Sequence, residues 1–382
     1  MKSVFKIFTP SMMVLLLLTL VACGDQSTNA SGDDSDADVS ATIGVVTYES
    51  GEGAAYGEAI KGGLELAQQE INDQGDVHIE LEIEDSAGET EQAISAAQKL
   101  MNDDDVSAII GPTLSGEMQA VAPVADKNGI PILGTSTTAE GIPQIGDYVF
   151  RDSIPETMAV PAAVEAAVDE YDAETVAVMY GDDDEYTKTG YEAMEKAIDE
   201  LDLDVLTTET FQKGQSDYKS ILSNIKDLDP DLILTSAFYN EGAVIMKQAR
   251  SAGIDTPFVG GNGFNSPEVI EIAGDSSDGL IVGTPYFAES DDPDVEEFVE
   301  NYTDEVGKAP DQFAAQAYDG LYIVAEALER AGDNDRDALR DALSETEDFD
   351  GVLANISFDE DGDVVMDPQV LEIKDGEFQL FE

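Results

Sequence analysis

Apolar residues recur along this chain with two different periods. Residues 42–47 (TIGVVT) and 106–110 (VSAII) are short apolar runs of strand length, rich in β-branched side chains, and predict buried strands. Val77, Ile79, Leu81 and Ile83 alternate with His78, Glu80, Glu82 and Glu84, which predicts a half-exposed strand. Between them, Ile60, Leu64, Ala67 and Ile71 share one face of a helix over 55–72, and a second helix covers 90–101. Residues 106–138 form one βαβ unit. Gly111-Pro112 stops the first strand, since proline has no N–H to donate. Ser115 stands at a helix N-cap, 118–127 is amphipathic, and Asn128-Gly129 is a helix C-terminal signal. A strand over 130–133 leads into the hydroxyl-rich loop 134–138, a short strand covers 148–150, and Ile154-Pro155 interrupts the series.

The pattern then starts again. Helices are predicted over 157–171, 186–201, 218–228 and 241–252, and strands over 175–179, 204–210, 232–234, 257–259 and 280–282, with a short helix from Pro267. Residues 182–185 read as a solvated turn, and Pro285-Tyr286 marks another crossing. Helices over 293–306, 312–331 and 335–343 precede a strand-like end with turns at 359–363 and 374–377. Strands alternating with helices imply mostly parallel sheets with right-handed crossovers. The fold class is therefore α/β, with two Rossmann-like lobes joined by several crossing strands. Lobe one takes 39–155 and 286–365, and lobe two takes 156–285 and 366–382. Ligands of such sheets bind at the carboxyl ends of strands, here in the cleft between lobes. A helix N-terminus beside serine and threonine hydroxyls suits a carboxylate or another small polar anion.

Charge changes this picture in one respect. The 382 residues include 83 acidic and 18 basic ones, a formal net charge of −65. That balance excludes a nucleic-acid partner, because phosphate binding needs a basic footprint. With 42% hydrophobic residues in periodic order the chain is folded, and its acids form a well-hydrated surface suited to high salt. Residues 1–22 read as a signal peptide, with Lys2 and Lys6 at the start and a leucine-rich run too short to span a bilayer. Residues 23–38, rich in Ser, Asp, Gly and Asn, read as a flexible tether. Cys23 is the only cysteine, so neither a disulfide framework nor a catalytic thiol is available.

Other chemistry finds little support. His78 is the only histidine and lies on the outward face of a strand, which removes Ser-His-Asp, Cys-His and histidine-metal sites. Gly51, Gly53 and Gly57 do not have the dinucleotide spacing, and read as a cleft loop. Asp359, Asp361 and Asp363 lack the glutamate and glycine positions of a calcium loop, and read as an acidic hairpin turn. No metal or cofactor is expected.

The segments TIGVVTYESGEGAAYGEAIKGGLELAQQEIN, IIGPTLSGEMQAVAPVADKNGIPIL, YNEGAVIMKQARSAGI, IEIAGDSSDGLIVGTP and AAQAYDGLYIVAEALERAG carry, in this order and spacing, a resemblance. The chain resembles the leucine/isoleucine/valine-binding family, the type I periplasmic solute-binding receptors of ABC transporters. Leu20 to Gly24 resembles a bacterial lipobox, implying cleavage before Cys23 and lipidation of its sulfur. The resemblance implies a monomeric, extracytoplasmic receptor, held to the membrane through that lipid alone, which delivers a branched-chain or related amino acid to ABC permease subunits. It implies that Ser115 holds the ligand carboxylate, with Leu114 beside it. It places Thr135 at a backbone-carbonyl position and Thr137 at a hydroxyl position around the α-carbon groups, and Tyr56, Tyr186 and Phe313 at aromatic positions of the pocket. Phe238 stands where the family often has tyrosine, and Asn262 where it often has the acid that pairs with the ammonium. A buried ammonium needs an anionic partner, and an amide carries no charge. Either another carboxylate substitutes, or the ligand is an amide, urea-like or carboxylate solute without an α-ammonium. A hydrolytic enzyme using paired carboxylates is the remaining rival, although no distinctive motif holds such a pair.

Self-repulsion among so many like charges is relieved by salt. The melting temperature of the chain is expected to rise between dilute buffer and molar salt. An unchanged midpoint would show that the acidic surface opposes folding no more than a balanced one.

Overall fold

The computed structural model describes Ala37 and residues 39–381. The expected signal peptide, Cys23 and nearly all of the tether lie outside the described residues. The first half alternates β1 (Val39–Thr47), α1 (Ala54–Gln74), β2 (Val77–Asp85), α2 (Thr90–Met101), β3 (Val106–Ile110), α3 (Ser115–Lys127), β4 (Ile132–Gly134) and β5 (Val149–Arg151). Its five strands pair in parallel in the order β2-β1-β3-β4-β5. The second half repeats the plan with α4 (Glu156–Tyr171), β6 (Thr175–Gly181), α5 (Glu185–Leu201), β7 (Asp204–Phe211), α6 (Lys219–Leu228), β8 (Leu232–Ser236), α7 (Tyr239–Ala252), β9 (Phe258–Gly260), α8 (Pro267–Ala273) and β10 (Leu280–Thr284). Its parallel strands run β7-β6-β8-β9-β10, the same order as the first sheet.

Three more helices follow: α9 (Pro293–Val306), α10 (Gln312–Ala331), which packs along α1, and α11 (Arg336–Ser344). β11 (Phe349–Asp350), β12 (Asn355–Phe358) and β13 (Val364–Val365) form a small antiparallel sheet. β14 (Gln369–Lys374) then adds antiparallel to β10, and β15 (Glu377–Leu380) completes the second sheet. The chain thus leaves the first half at 152–155, returns to it at 285–292 and leaves again at 366–368.

Helix starts account for the small differences from the sequence reading. Leu114, not Ser115, is the N-cap of α3, and its N–H is held at 3.2 Å by Glu117. Phe238 caps α7 in the same way, with Glu241 accepting its N–H at 3.2 Å. Reaching back from the third helical position, each glutamate accepts the cap residue's own N–H. Asp184, in the turn read as simply solvated, accepts Tyr186 N at 2.9 Å and caps α5. The glycine-rich loop after β1 is a packing device: a methyl group on Gly57 would stand 2.1 Å from the Tyr48 carbonyl.

One buried cation ties the late segment to the first sheet. Arg151 at the end of β5 is 1% exposed. Its Nε and Nη2 pair with Asp363 at 2.8 and 2.6 Å, while Nη1 donates to the carbonyls of Thr137 at 3.2 Å and Ala139 at 2.6 Å. The turn 359–363 is stapled by Asp359, which accepts Asp361 N and Asp363 N at 2.9 Å each. Among the described residues no group of three or more His, Cys, Asp or Glu is arranged to hold a metal, and no helix is long and apolar enough to cross a membrane.

Breaking a buried pair leaves its partners unsatisfied, at a cost on the order of 3 kcal/mol. Arg151→Met is expected to lower the denaturation free energy in urea by about that amount. A loss below about 0.5 kcal/mol, the ordinary range for surface substitutions, would show that the pair does not hold the loop.

Candidate functional site

Because both sheets share one strand order, the loops after β1, β3, β4, β6, β8 and β9 converge at the carboxyl ends of the strands, where open α/β sheets bind ligands. They line a narrow cleft between the two halves.

One wall is polar. Ser115, the first residue of α3, is 2% exposed. Its Oγ accepts the N–H groups of Thr138 and Ala139, each at 3.2 Å. A hydroxyl has two acceptor lone pairs and one donor hydrogen, so both lone pairs are engaged and the hydrogen remains free. It stands beside the first N–H groups of α3, which lack intrahelical partners. Thr138 contributes a buried hydroxyl with no hydrogen-bond partner among the described residues. Thr113 and Ser136 complete this wall, joined by Ser136 Oγ donating to Thr113 O at 2.8 Å. A hydroxyl donor and helix N–H groups facing one small space are the elements of a carboxylate site.

The opposite wall is aromatic. Tyr56 lies in the first turn of α1, Tyr186 in the first turn of α5, and Phe313 in the first turn of α10. Tyr56 stands edge-on to Phe313 with centroids 4.6 Å apart, and Tyr186 lies against Phe238 at 5.2 Å. Asp311 sets Phe313 in place by accepting Phe313 N and Ala314 N at 3.0 Å each, and burial raises its carboxyl to about 7. The tyrosine hydroxyls are engaged by backbone. Tyr56 OH donates to Gly263 O at 3.0 Å and accepts Tyr239 N at 2.9 Å, while Tyr186 OH accepts Gly263 N at 3.1 Å. Tyr56 belongs to the first half and Gly263 to the second, so the cleft is closed.

Asn262 lines the cleft, but its amide is used internally. Nδ2 donates to Ile154 O at 3.1 Å, in the first crossing segment. Gln312 Nε2 donates to Asn262 O at 2.7 Å and also reaches Asn262 Oδ1, while Gln312 Oε1 accepts the Thr284 hydroxyl at 2.6 Å. This side chain therefore braces two crossings. Behind it lies Glu156, fully buried, with neither carboxylate oxygen hydrogen-bonded among the described residues. Burial pushes its carboxyl up to about 8.

Seven of the nine expected residues meet at this cleft: Ser115 and Leu114 with Tyr56, Tyr186, Phe238, Asn262 and Phe313. The side chains of Thr135 and Thr137 stand outside it: the Thr135 methyl faces α10 at Gly320, and the Thr137 hydroxyl lies against Gly134. Ser136 and Thr138 line the cleft beside them. Loop 134–138 has no strand period from which to read facing, and Ser115 fixes the choice by holding the Thr138 N–H. Thr113 and Gly263 were also missed. Their neighbours Leu114 and Asn262 were the available signal.

Residues 40–377 match the family described as periplasmic binding protein. Over 315 residues the chain is 27% identical to the leucine-, isoleucine-, valine-, threonine- and alanine-binding protein of Pseudomonas aeruginosa, covering 81% of this chain and 83% of that one. The fold superposes on the branched-chain amino acid transporter substrate binding protein of Streptococcus pneumoniae, solved in complex with isoleucine. The TM-score is 0.84, with 30% identity over 89% of this chain and 98% of that one. A leucine binding protein of Thermotoga maritima superposes with a TM-score of 0.82 at 28% identity, over 89% and 97% of the two chains. Two sheets whose parallel strands share one order, three crossings, a closed cleft between halves and a match running from β1 to β15 agree on one conclusion: this chain belongs to the periplasmic binding protein family.

Proposed function

We propose that this protein captures a branched-chain or related amino acid outside the cytoplasm and presents it to the permease of an ABC importer. The observation that carries this reading is the two-poled cleft: Ser115, Thr138 and the start of α3 at one end, and Leu114, Tyr56, Phe238 and Phe313 at the other. Such a site matches a molecule with a carboxylate at one end and an apolar body at the other. The relatives named for leucine, isoleucine and valine, and the neighbour solved with isoleucine, support it.

The protein acts as a receptor and not as an enzyme. Its cleft groups are donors and aromatic rings, with no nucleophile paired to a base. The lobes are assigned as 39–155 with 286–365 and 156–285 with 366–382, a division supported by the strands each sheet collects. Ligand stabilises the closed form by binding it better than the open one, and the closed form docks on the permease as a monomer. Cys23 carries a lipid that keeps the receptor near the membrane, which accounts for the short polar tether after it. A second reading, a carboxylate or amide solute without an α-ammonium, is favoured by Asn262, whose amide is occupied by Ile154 and Gln312.

Calorimetry in molar salt should show saturable binding of leucine, isoleucine or valine without product. Hydrogen bonds to a charged group contribute about 1.5–3 kcal/mol each, so Ser115→Ala with Thr138→Val should weaken binding by on the order of 100-fold or more. Ligand-induced compaction in small-angle scattering should disappear with it. Undiminished affinity in this variant would refute the site, and binding only of des-amino analogues by the unaltered chain would establish the second reading.

A further inference from the structure

The seam beside the cleft carries one cation amid acids from both halves. Lys213 lies in the loop after β7, which is fixed to the second half. Lys213 N donates to Asp183 Oδ1 at 2.9 Å, and Gly214 N donates to Glu241 Oε1 at 2.7 Å. The same loop abuts the first half, since a methyl group placed on Gly214 would stand 3.2 Å from Glu52 Oε2. The Lys213 ammonium stands 5.9 Å from the ring centre of Tyr48, in the first half, and 5.3 Å from that of Phe238, in the second. Tyr56 and Phe238 line both the ligand cleft and the small chamber beside Lys213, so aromatic rings stand between the ammonium and the ligand space.

Three helices that begin at the cleft, α3, α5 and α7, each start on a carboxylate. Glu117 accepts Leu114 N at 3.2 Å, Asp184 accepts Tyr186 N at 2.9 Å, and Glu241 accepts Phe238 N at 3.2 Å. Glu117 and Glu241 are buried and Asp184 is half-buried. Glu117 Oε1 has no hydrogen-bond partner among the described residues. Burial pushes all three carboxyls up, and the nearby Lys213 ammonium opposes that rise in each. Glu117 belongs to the first half and Asp184 to the second. They approach where α3 meets α5, beside the bond from Gln119 Nε2 to Glu185 at 3.2 Å, and the Asp184 charge acts against ionised Glu117. Like charges facing across a closing seam repel, and partly buried charges are screened by salt less than exposed ones.

We propose that Lys213 is the closure latch of this receptor, a positioning residue whose ammonium comes with the second half onto Tyr48 and Glu117 of the first and cancels the repulsion between Glu117 and Asp184. The proposal rests on the reading of this protein as a cleft-closing receptor and deepens it. Opening the cleft takes the ammonium away from Tyr48 and Glu117. Lys213 therefore stabilises the closed form alone, and through it the affinity for ligand. The part played by Glu117 then depends on the lysine. With Lys213 present, the Glu117 charge attracts across the seam. Without Lys213, the same charge repels Asp184.

The test is calorimetry with L-leucine in molar salt, and small-angle scattering for compaction. The chains compared are the unaltered one, Lys213→Met, Lys213→Arg, Glu117→Gln, and Lys213→Met combined with Glu117→Gln. Methionine keeps an apolar stem and removes the charge, while glutamine keeps an acceptor for the α3 cap. An exposed cation–π contact with a screened charge pair is on the scale of tenfold in affinity, about 1.4 kcal/mol. Lys213→Met should weaken leucine binding by about that factor and reduce the ligand-induced compaction. Its ligand-free urea midpoint should stay in the range of an ordinary surface substitution. Lys213→Arg keeps the charge and the ring contact, and should bind within about threefold of the unaltered chain. Glu117→Gln should weaken binding when Lys213 is present and strengthen it in the Lys213→Met background, a reversal of sign that a purely structural role does not produce. Unchanged affinity in Lys213→Met, an equal loss in Lys213→Arg, or weakening by Glu117→Gln in both backgrounds would overturn the latch. Should Glu117→Gln fail to fold, the two Lys213 variants decide. No binding of leucine, isoleucine or valine by the unaltered chain would instead overturn the proposed function, and the latch with it.

Discussion

Residues 137–139 are held by their own backbone from two sides. Arg151 donates to the carbonyls of Thr137 and Ala139, while Ser115 Oγ accepts the N–H groups of Thr138 and Ala139. An irregular buried segment has no ladder partners, so its polar groups need substitutes of this kind. The rest of the polar wall follows from the clamp. Thr138 is turned into the cleft, the start of α3 and the loop after β4 become one unit, and the Ser115 hydroxyl hydrogen stays free of both N–H bonds. The same guanidinium pairs with Asp363, so the late hairpin β12–β13 is bound to the first sheet by the group that supports the site.

Closure of the cleft has to be achieved in a protein of formal charge −65, where facing carboxylates would repel. The contacts that join the halves are mostly neutral. Tyr56 joins Gly263 and Tyr239, Tyr239 OH donates to Glu52 O at 3.0 Å, and Gln119 Nε2 donates to Glu185 at 3.2 Å. Lys213, from the loop after β7, places its ammonium 5.9 Å from the Tyr48 ring and 5.3 Å from the Phe238 ring. Cation–π attraction of this kind bridges the halves without adding an acid to the seam. At molar salt the Debye length is about 3 Å, so short-range contacts such as these survive where the long-range repulsion of the surface does not.

Asn262 and Glu156 meet at Gly261, the first as its chain neighbour and the second packed on its backbone. An amide at 262 joins two crossing segments through Ile154 and Gln312, a task that would leave a carboxylate facing the Ile154 carbonyl. The buried acid sits one layer away, behind Gly261, where only the absence of a side chain leaves it room. The amide at 262 and the buried carboxylate at 156 are thus two parts of one local arrangement around Gly261.

The alternation of apolar runs by itself determined the α/β class, the two series of strands and helices, and the crossings near 155 and 285, because hydrophobic period reports directly on backbone geometry. Motif order further placed Ser115, Tyr56, Tyr186 and Phe313 on loops after strands or at helix starts, where the cleft had to form. Tertiary structure alone decided the rest. Thr138 lines the cleft and Thr137 does not, because a long-range bond from Ser115 turns a loop that has no period of its own. Asn262 is a brace because Gln312, fifty positions later, is delivered to it by α10. Glu156 looked like one acid among 83, and only packing against Gly261, Ser236 and Thr138 removed its partners and its water. A linear sequence records which groups are present, but their isolation or satisfaction depends on neighbours that the fold brings from far along the chain.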